Sequence, residues 1–243
     1  MSELFGVETT RPPSAFVGED VLLEARSDVL SYRASGFGIQ PGSLLHRAIM
    51  AEQSHILDAY QAAAAANRTE TSAPWRVETY FTRTATAGPL TSILRTDYIS
   101  AGDEVHRLEF ASSLISELHP DGLELEDLFS DERSTETNLD RILCRAVARV
   151  KYAQNPDARL NGEPIFCNET SPVSFLHGAP VVFAGSTKTN AFGGLTFYYV
   201  PGRIGDVEEG EYIIDLPQTA FRSYLKPEFQ TLFQGVPPRI SQG

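Results

Sequence analysis

The sequence lacks any apolar run long enough to cross a membrane, and it is poor in basic residues. A membrane-spanning helix needs roughly 18 or more consecutive apolar residues, and no run in the 243-residue chain approaches that length. We therefore predict no membrane span in this chain. Only 20 Lys and Arg stand against 32 Asp and Glu, which gives a formal net charge of −12. Because nucleic acids and anionic membrane surfaces attract basic surfaces, this balance argues against both as partners.

Cysteine is also scarce, since Cys144 and Cys167 are the only two in the chain. Two cysteines cannot make a zinc site alone, and no histidine lies at the short spacing that would complete one. No metal or cofactor is therefore predicted. The pair fits either two reduced thiols in the cytosol or one disulfide in an exported protein. The first twenty residues show neither a basic segment nor an apolar core, so no signal peptide is expected within them.

The composition that remains is that of a globular protein, with 42% hydrophobic and 10% aromatic residues. Hydrophobic spacing predicts a strand over Val21–Tyr32, then a helix from Ser43 to Asn67. From Trp75 to Phe110 the residues favour three consecutive strands, with Gly88-Pro89 as the first turn. Strands joined by short connections are typical of an antiparallel meander.

The second half of the sequence continues the mixture of helix and strand. Thr137 to Tyr152 carries one apolar stripe, and Thr137 with Asp140 is a candidate capping box. Two alternating strands follow within Gly193–Pro217. Leu195, Phe197 and Tyr199 share one face of the first strand, and Tyr212, Ile214 and Leu216 share a face of the second. Pro217 is predicted to begin a short last helix that Pro227 ends.

These elements predict an α+β protein with mainly antiparallel sheet, two longer helices and a short C-terminal helix. Residues 1–20 are expected to be an irregular leader and residues 230–243 a mobile tail. Between them, residues 21–229 are expected to form a single unit with halves at about 21–100 and 101–229. No low-complexity linker marks a sharper boundary.

A dense run of acids, Glu124 to Glu132, is the most conspicuous cluster of potential ligands. A calcium loop would alternate Asp or Asn, hold a central Gly and close with Glu. Here Leu128 and Phe129 interrupt the acids and no Gly lies among them. The pattern favours a solvated strand edge that leads into a helix N-terminus, where carboxylates suit the helix dipole. No catalytic residue is predicted.

Several short sequence segments occur in an order that is typical of one known family. They are "HPDGLELEDLF", with Gly122 before a leucine-rich segment, and "FGGLTFYYVPGRIGDVEEGEYIIDLPQTAFRSYL", with Pro217 after its second strand. Over residues 21–229 the chain resembles the extracytoplasmic domain of unknown function of the RsiV-like family, the lysozyme-sensing anti-sigma factors. The same domain type precedes the catalytic part of PdaC-like peptidoglycan deacetylases.

The resemblance implies a non-enzymatic, exported binding or sensing module of the cell envelope, periplasmic or extracellular, with a basic protein or a cell-wall component as its partner. Within the loop Pro201–Glu211 we expect Asp206, Glu208 and Glu209 to contact a cationic partner. The alternative for this loop is a solvated turn whose acids keep the strand edge from pairing with other chains. In an exported protein we expect Cys144 to pair with Cys167. Two other interpretations stay open. One is an enzyme that acts on cell-wall glycan through surface carboxylates, or an accessory domain to such an enzyme, and the other is a cytosolic structural protein.

Overall fold

The computed structural model describes residues 19–68, 73–101, 105–116, 118, 123–130, 133–154 and 173–238. Its helices and strands form an α+β fold with mostly antiparallel sheet, as the sequence predicts. The elements in chain order are β1 (Glu19–Arg26), β2 (Leu30–Phe37), α1 (Leu44–Ala66), β3 (Trp75–Ala87), β4 (Leu90–Ala101), β5 (Val105–Ser116), α2 (Arg133–Gln154), β6 (Val181–Ala184), β7 (Gly194–Tyr199), β8 (Tyr212–Pro217) and α3 (Pro227–Gln230).

The first sheet has five strands in the order β1-β2-β3-β4-β5. The single strand predicted over Val21–Tyr32 is wrong, because a turn at Ser27 divides it. The Ser27 hydroxyl accepts hydrogen bonds from the backbone N–H groups of Val29 and Leu30 at 3.3 and 3.2 Å, which reverses the chain into the antiparallel pair β1–β2. β2 and β3 are parallel, and α1 makes the crossover between them that a parallel pair requires. The predicted meander is the run β3-β4-β5.

Helix α1 begins and ends where the sequence predicts. The Ser43 hydroxyl caps its N-terminus by accepting from the His46 N–H at 3.0 Å, and the Asn67 side-chain amide donates to the Ala63 carbonyl at 2.8 Å. Both interactions satisfy backbone groups that a helix end leaves unpaired. The buried face of α1 carries one polar side chain among apolar ones: Ile49, Gln53, Ile56, Tyr60 and Ala64.

Helix α2 begins at Arg133, four residues before the predicted start. Thr137 therefore lies inside the helix and the predicted capping box is wrong. Asp140 serves another purpose, since its Oδ1 accepts a hydrogen bond from the Phe175 N–H at 2.7 Å. The predicted apolar stripe does pack into a hydrophobic core. Its most buried members, Leu139, Leu143 and Val147, are 1% exposed or less, and Cys144 beside the stripe is 2% exposed.

The second sheet is antiparallel in the order β6-β7-β8. Its register places Leu195 opposite Leu216, Phe197 opposite Ile214 and Tyr199 opposite Tyr212. The two sets of side chains expected on the two strands therefore meet on the same face of the sheet, and all six are buried. On β6, the Val181 and Phe183 N–H groups donate to the hydroxyls of Ser112 and Ser92, at 3.0 and 2.9 Å.

The chain after β8 differs from its prediction in two ways. Pro217 ends β8, and two 3-10 turns follow in place of a helix, whereas Pro227 begins α3 at a position where a missing N–H costs nothing. The expected mobile tail is also wrong over 231–238. Phe233 is 1% exposed in the core, and the backbone of Gln234 donates to Phe192 at 2.9 Å. Residues 239–243 lie outside the described part of the chain.

The chain divides into two compact units. Unit 1 comprises Met1–Arg83 and Leu94–Phe110, and unit 2 comprises Thr84–Ile93 and Ala111–Gly243. The core of unit 2 is rich in edge-to-face phenylalanine pairs, such as Phe183 with Phe192 at 4.8 Å between ring centroids. In the part of the chain that is described, no helix is both long and apolar enough to span a membrane.

Candidate functional site

The acidic turn, defined here as residues 201–211, connects β7 to β8 in unit 2 and holds all three predicted binding residues. Four acids and one arginine give it a formal charge of −4 + 1 = −3. Its centre is a 3-10 turn, Val207–Glu209, in which the Glu209 N–H donates to the Asp206 carbonyl at 3.1 Å. Asp206, Glu208 and Glu209 thus lie within one turn of backbone, as their spacing predicts.

The carboxylate of Glu209 is bound within the protein. Its Oε2 accepts hydrogen bonds from the Tyr212 hydroxyl at 2.8 Å and from the Asp206 N–H at 3.2 Å, and Lys151 Nζ of α2 lies 3.5 Å away. Burial tends to raise the pKa of Glu209, but the hydrogen bond from Tyr212 and the charge of Lys151 outweigh it and hold that pKa below its usual range. Glu209 therefore anchors the turn to β8 and α2.

The anchor leaves other carboxylates directed at solvent. Asp206 and Glu208 are exposed, and neither forms a salt bridge with a described side chain. The Asp206 carboxylate also faces the Glu209 N–H in a capping box at the start of the 3-10 turn. Lys151 also donates to the carbonyl of Ile204 at 2.8 Å, so the turn is attached to α2 at a second point. A charged group on a loop that is held in place loses little conformational freedom on binding. Anchoring by Glu209 and Lys151 was not visible in the sequence, because the two are far apart along the chain.

Unit 2 also contains a groove of about 360 Å³. Its walls come from β5, from the 3-10 turn Leu125–Leu128 and from the segment before β6. Polar groups at the groove include Ser112, Glu124, Glu126 and His177, and His177 Nε2 lies 3.9 Å from Glu126 Oε2. The apolar lining is Leu114, Leu123, Leu125, Leu176, Ala179, Val181 and Phe183. The volume falls within the range of small-ligand sites.

The acidic run at this groove forms a different local structure from the one expected. Leu125–Leu128 is a 3-10 turn with Leu128 buried, and the Glu124 N–H donates to the Asp127 carboxylate at 2.8 Å. This turn precedes α2 but is separate from it. Among the described residues, no group of three or more His, Cys, Asp or Glu is arranged to hold a metal ion.

Cys144 lies in α2, 2% exposed, and it is disulfide-bonded. Cys167, its predicted partner, lies outside the described residues. A bridge between these positions would close a loop in the unfolded chain and stabilise the fold by about 3 kcal/mol.

We expect no free thiol in protein isolated from its native compartment, because the predicted bridge uses both cysteines. Thiol titration in denaturant without reductant measures this directly. Reduction before titration is the control and should release two thiols. Two free thiols in the unreduced sample would contradict the pairing.

A cluster that the sequence analysis missed lies in unit 1. Asp97 of β4 is fully buried, and its carboxylate accepts hydrogen bonds from Thr79 at 2.7 Å and from Tyr60 at 2.9 Å. The Tyr60 hydroxyl also lies 3.2 Å from Glu109 Oε2. The burial of Asp97 could have been predicted from strand alternation. Asp97 is an even number of residues from Ile93 and from the buried Ile99, so the three positions lie on the same face of β4.

Comparisons with known proteins extend this picture only at the level of the fold. No family model and no curated protein matches the sequence. Among solved structures, a DUF3298 family member from Bacteroides fragilis is 11% identical with a TM-score of 0.53, and the alignment covers 89% of this chain and 96% of that one. A DUF3298 family protein from Pseudomonas aeruginosa is 13% identical with a TM-score of 0.47, covering 96% and 100%. The first likeness shows a shared fold.

Proposed function

We propose that this protein is a non-enzymatic, exported binding or sensing module of the cell envelope, periplasmic or extracellular, and that it binds a basic protein through the acidic turn. The observation that carries the proposal is the arrangement of the three predicted acids. Glu209 is anchored by Tyr212 and Lys151, while Asp206 and Glu208 face solvent. The turn therefore presents negative charge from a fixed backbone.

The charge of the whole chain supports the same partner chemistry. A net charge of −12 attracts a cationic protein over a distance set by the ionic strength, and a local charge of −3 at the acidic turn orients the encounter. Loops held by a rigid scaffold are common recognition sites. The sequence resemblance to the lysozyme-sensing family makes lysozyme, a basic protein, the first partner to test.

The test compares binding of lysozyme to the wild type and to the double variant Asp206→Asn, Glu208→Gln. These replacements remove two charges and keep the side-chain shapes, so the fold should be unchanged. We expect the association rate to fall roughly two- to tenfold in the variant at low salt, and to fall steeply with salt in the wild type. Surface plasmon resonance over a salt series measures both effects.

Glu136→Gln is the matched control, because it removes an exposed carboxylate from α2 outside the acidic turn and the groove. Equal rates for the wild type and the double variant would contradict a role for the turn. The variant Glu124→Gln, Glu126→Gln examines the groove in the same assay. A loss confined to this second variant would move the binding surface to the groove.

The enzymatic alternative is tested separately. Purified peptidoglycan and its soluble fragments are incubated with the protein, and released acetate and new reducing ends are measured. We expect no product above a heat-treated control. Product that disappears in a carboxylate variant would replace the binding proposal with catalysis on cell-wall glycan.

A further inference from the structure

In the cluster of Tyr60, Asp97 and Glu109 in unit 1, two carboxyl groups lie within hydrogen-bond distance of one hydroxyl group. Tyr60 has one hydroxyl hydrogen, yet its oxygen lies 2.9 Å from Asp97 Oδ2 and 3.2 Å from Glu109 Oε2. A phenol donates one hydrogen bond and accepts others. If both carboxyl groups are ionised, Tyr60 satisfies one of them and the other faces the phenol oxygen without a proton between them.

Positive charge near Asp97 is limited. Arg95 Nε lies 3.0 Å from Asp97 Oδ2, but its N–H is not directed to form a hydrogen bond with that oxygen. The same guanidinium is engaged by Glu52 through NH1 at 2.8 Å. Arg107 pairs with Glu109 at 2.9 Å on the more exposed side. Among the described residues, the charged groups that face Asp97 from the surrounding elements are thus Glu52 of α1, Arg95 of β4 and Glu109 of β5.

The remaining neighbours of the cluster are neutral. Tyr32 of β2 donates to the Gln53 side-chain oxygen at 3.1 Å, and Gln53 is fully buried with its Nε2 atom lacking a hydrogen-bond partner. Burial raises the pKa of Tyr32 to about 12, so this phenol keeps its proton at physiological pH. Thr79 of β3 donates to Asp97 Oδ1. Unit 1 therefore buries a carboxyl group among neutral hydroxyls with one shared guanidinium.

We propose that Tyr60, Asp97 and Glu109 form an internal proton-binding site that takes up one proton as the surroundings become acidic and thereby stabilises unit 1. The proton resides on Asp97 Oδ2. That oxygen then donates to the Tyr60 oxygen, and Tyr60 donates to Glu109. Asp97 Oδ1 continues to accept from Thr79. Each hydroxyl hydrogen in this series of hydrogen bonds then has one acceptor. The two carboxyl groups therefore no longer share the single hydrogen of Tyr60.

The titration behaviour of Asp97 agrees with this assignment. Burial raises the pKa of Asp97; Arg95, Thr79 and Tyr60 act against it, Glu109 acts with it, and the net direction is upward from 3.8. A raised folded-state pKa means that the folded protein binds the proton more tightly than the unfolded chain. The stabilisation is complete below pH 3.8 and is lost as pH rises through the folded-state pKa. Acid therefore strengthens this cluster, in contrast to ordinary paired carboxylates.

Asp97→Asn provides a sharp test, because an asparagine imitates the protonated acid. Its oxygen accepts from Thr79 and its amide donates to Tyr60, while the charge is absent. At pH 7 we expect the melting temperature of the variant to equal or exceed that of the wild type. As the pH is lowered, we expect the melting temperature of the wild type to rise relative to that of the variant. Calorimetry of both proteins across a pH series measures the difference. A variant that is less stable at pH 7 and approaches the wild type in acid would overturn the proposal.

The site of protonation is measured by following the side-chain carboxyl carbons by NMR. We expect Asp97 to titrate above 3.8, the ordinary value of an aspartate, and its midpoint to move down in Glu109→Gln. Asp58 is exposed on α1. Asp58→Asn is the control for loss of one surface charge and should leave the Asp97 midpoint unchanged. An Asp97 midpoint at or below 3.8, or one that does not change in Glu109→Gln, would overturn the proposal.

Discussion

Leu143→Asp should abolish the folded state of unit 2 at room temperature. Leu143 is fully buried in α2, within the core that α2 shares with the second sheet. An aspartate there loses the packing of a leucine and places an unpaired charge in an apolar environment, which together cost about 5 kcal/mol or more. That is comparable to the whole stability of a typical domain. Calorimetry should show the loss of the cooperative transition of unit 2.

Arg145→Asp is the matched control, because it introduces the same residue on the exposed side of the same helix. We expect it to change the melting temperature little, since surface substitutions usually change stability by about 0.5 kcal/mol or less. An unchanged melting temperature for Leu143→Asp would mean that this face of α2 is solvent-exposed in solution.

Gly194→Ala should destabilise unit 2 by about 3 kcal/mol, although it adds only one methyl group. A Cβ at Gly194 would overlap the Leu216 carbonyl oxygen and would lie 3.1 Å from Pro217 Cα, on the neighbouring strand β8. These are backbone atoms within the β7–β8 ladder, so no rotamer change relieves the overlap. Urea denaturation followed by far-UV circular dichroism measures the difference in free energy of unfolding.

Gly185→Ala separates this steric effect from the general consequence of replacing a glycine. No heavy atom lies within 4 Å of a Cβ built at Gly185, and its φ is not in the left-handed region. We expect that variant to be neutral or slightly stabilising, because alanine restricts the unfolded chain. Equal stability of the two variants would show that β7 and β8 separate easily at Gly194.

The local elements were predictable where one signal dominates. Ser43 and the 3.6-residue spacing of Ile49, Ile56 and Tyr60 located α1, since capping and amphipathicity act within a few turns of chain. The early start of α2 was missed because its first turn, from Arg133, has no apolar periodicity. The C-terminal segment was missed because Phe233 packs on residues far away in the sequence.

The sequence predicted which residues make up the candidate site but not the contacts that each of them forms. Strand alternation and a loop of Pro, Gly and acid were enough to place Asp206, Glu208 and Glu209 in one turn between two strands. That Glu209 is bound within the protein while Asp206 and Glu208 are exposed depends on two contacts. One is with Lys151, more than fifty residues earlier, and the other is with Tyr212, which lies beside Glu209.

The sequence by itself determined the α+β class, the span of α1 and the meander β3-β4-β5, because these follow from periodicity, caps and short turns. Tertiary structure alone decided which carboxylates are free and which are engaged. Glu209 is anchored and Asp97 is buried, yet both are acids within or beside strands in the sequence. The reason is physical: desolvation and hydrogen-bond partners set the state of a carboxyl group, and both arise from residues brought together only by folding.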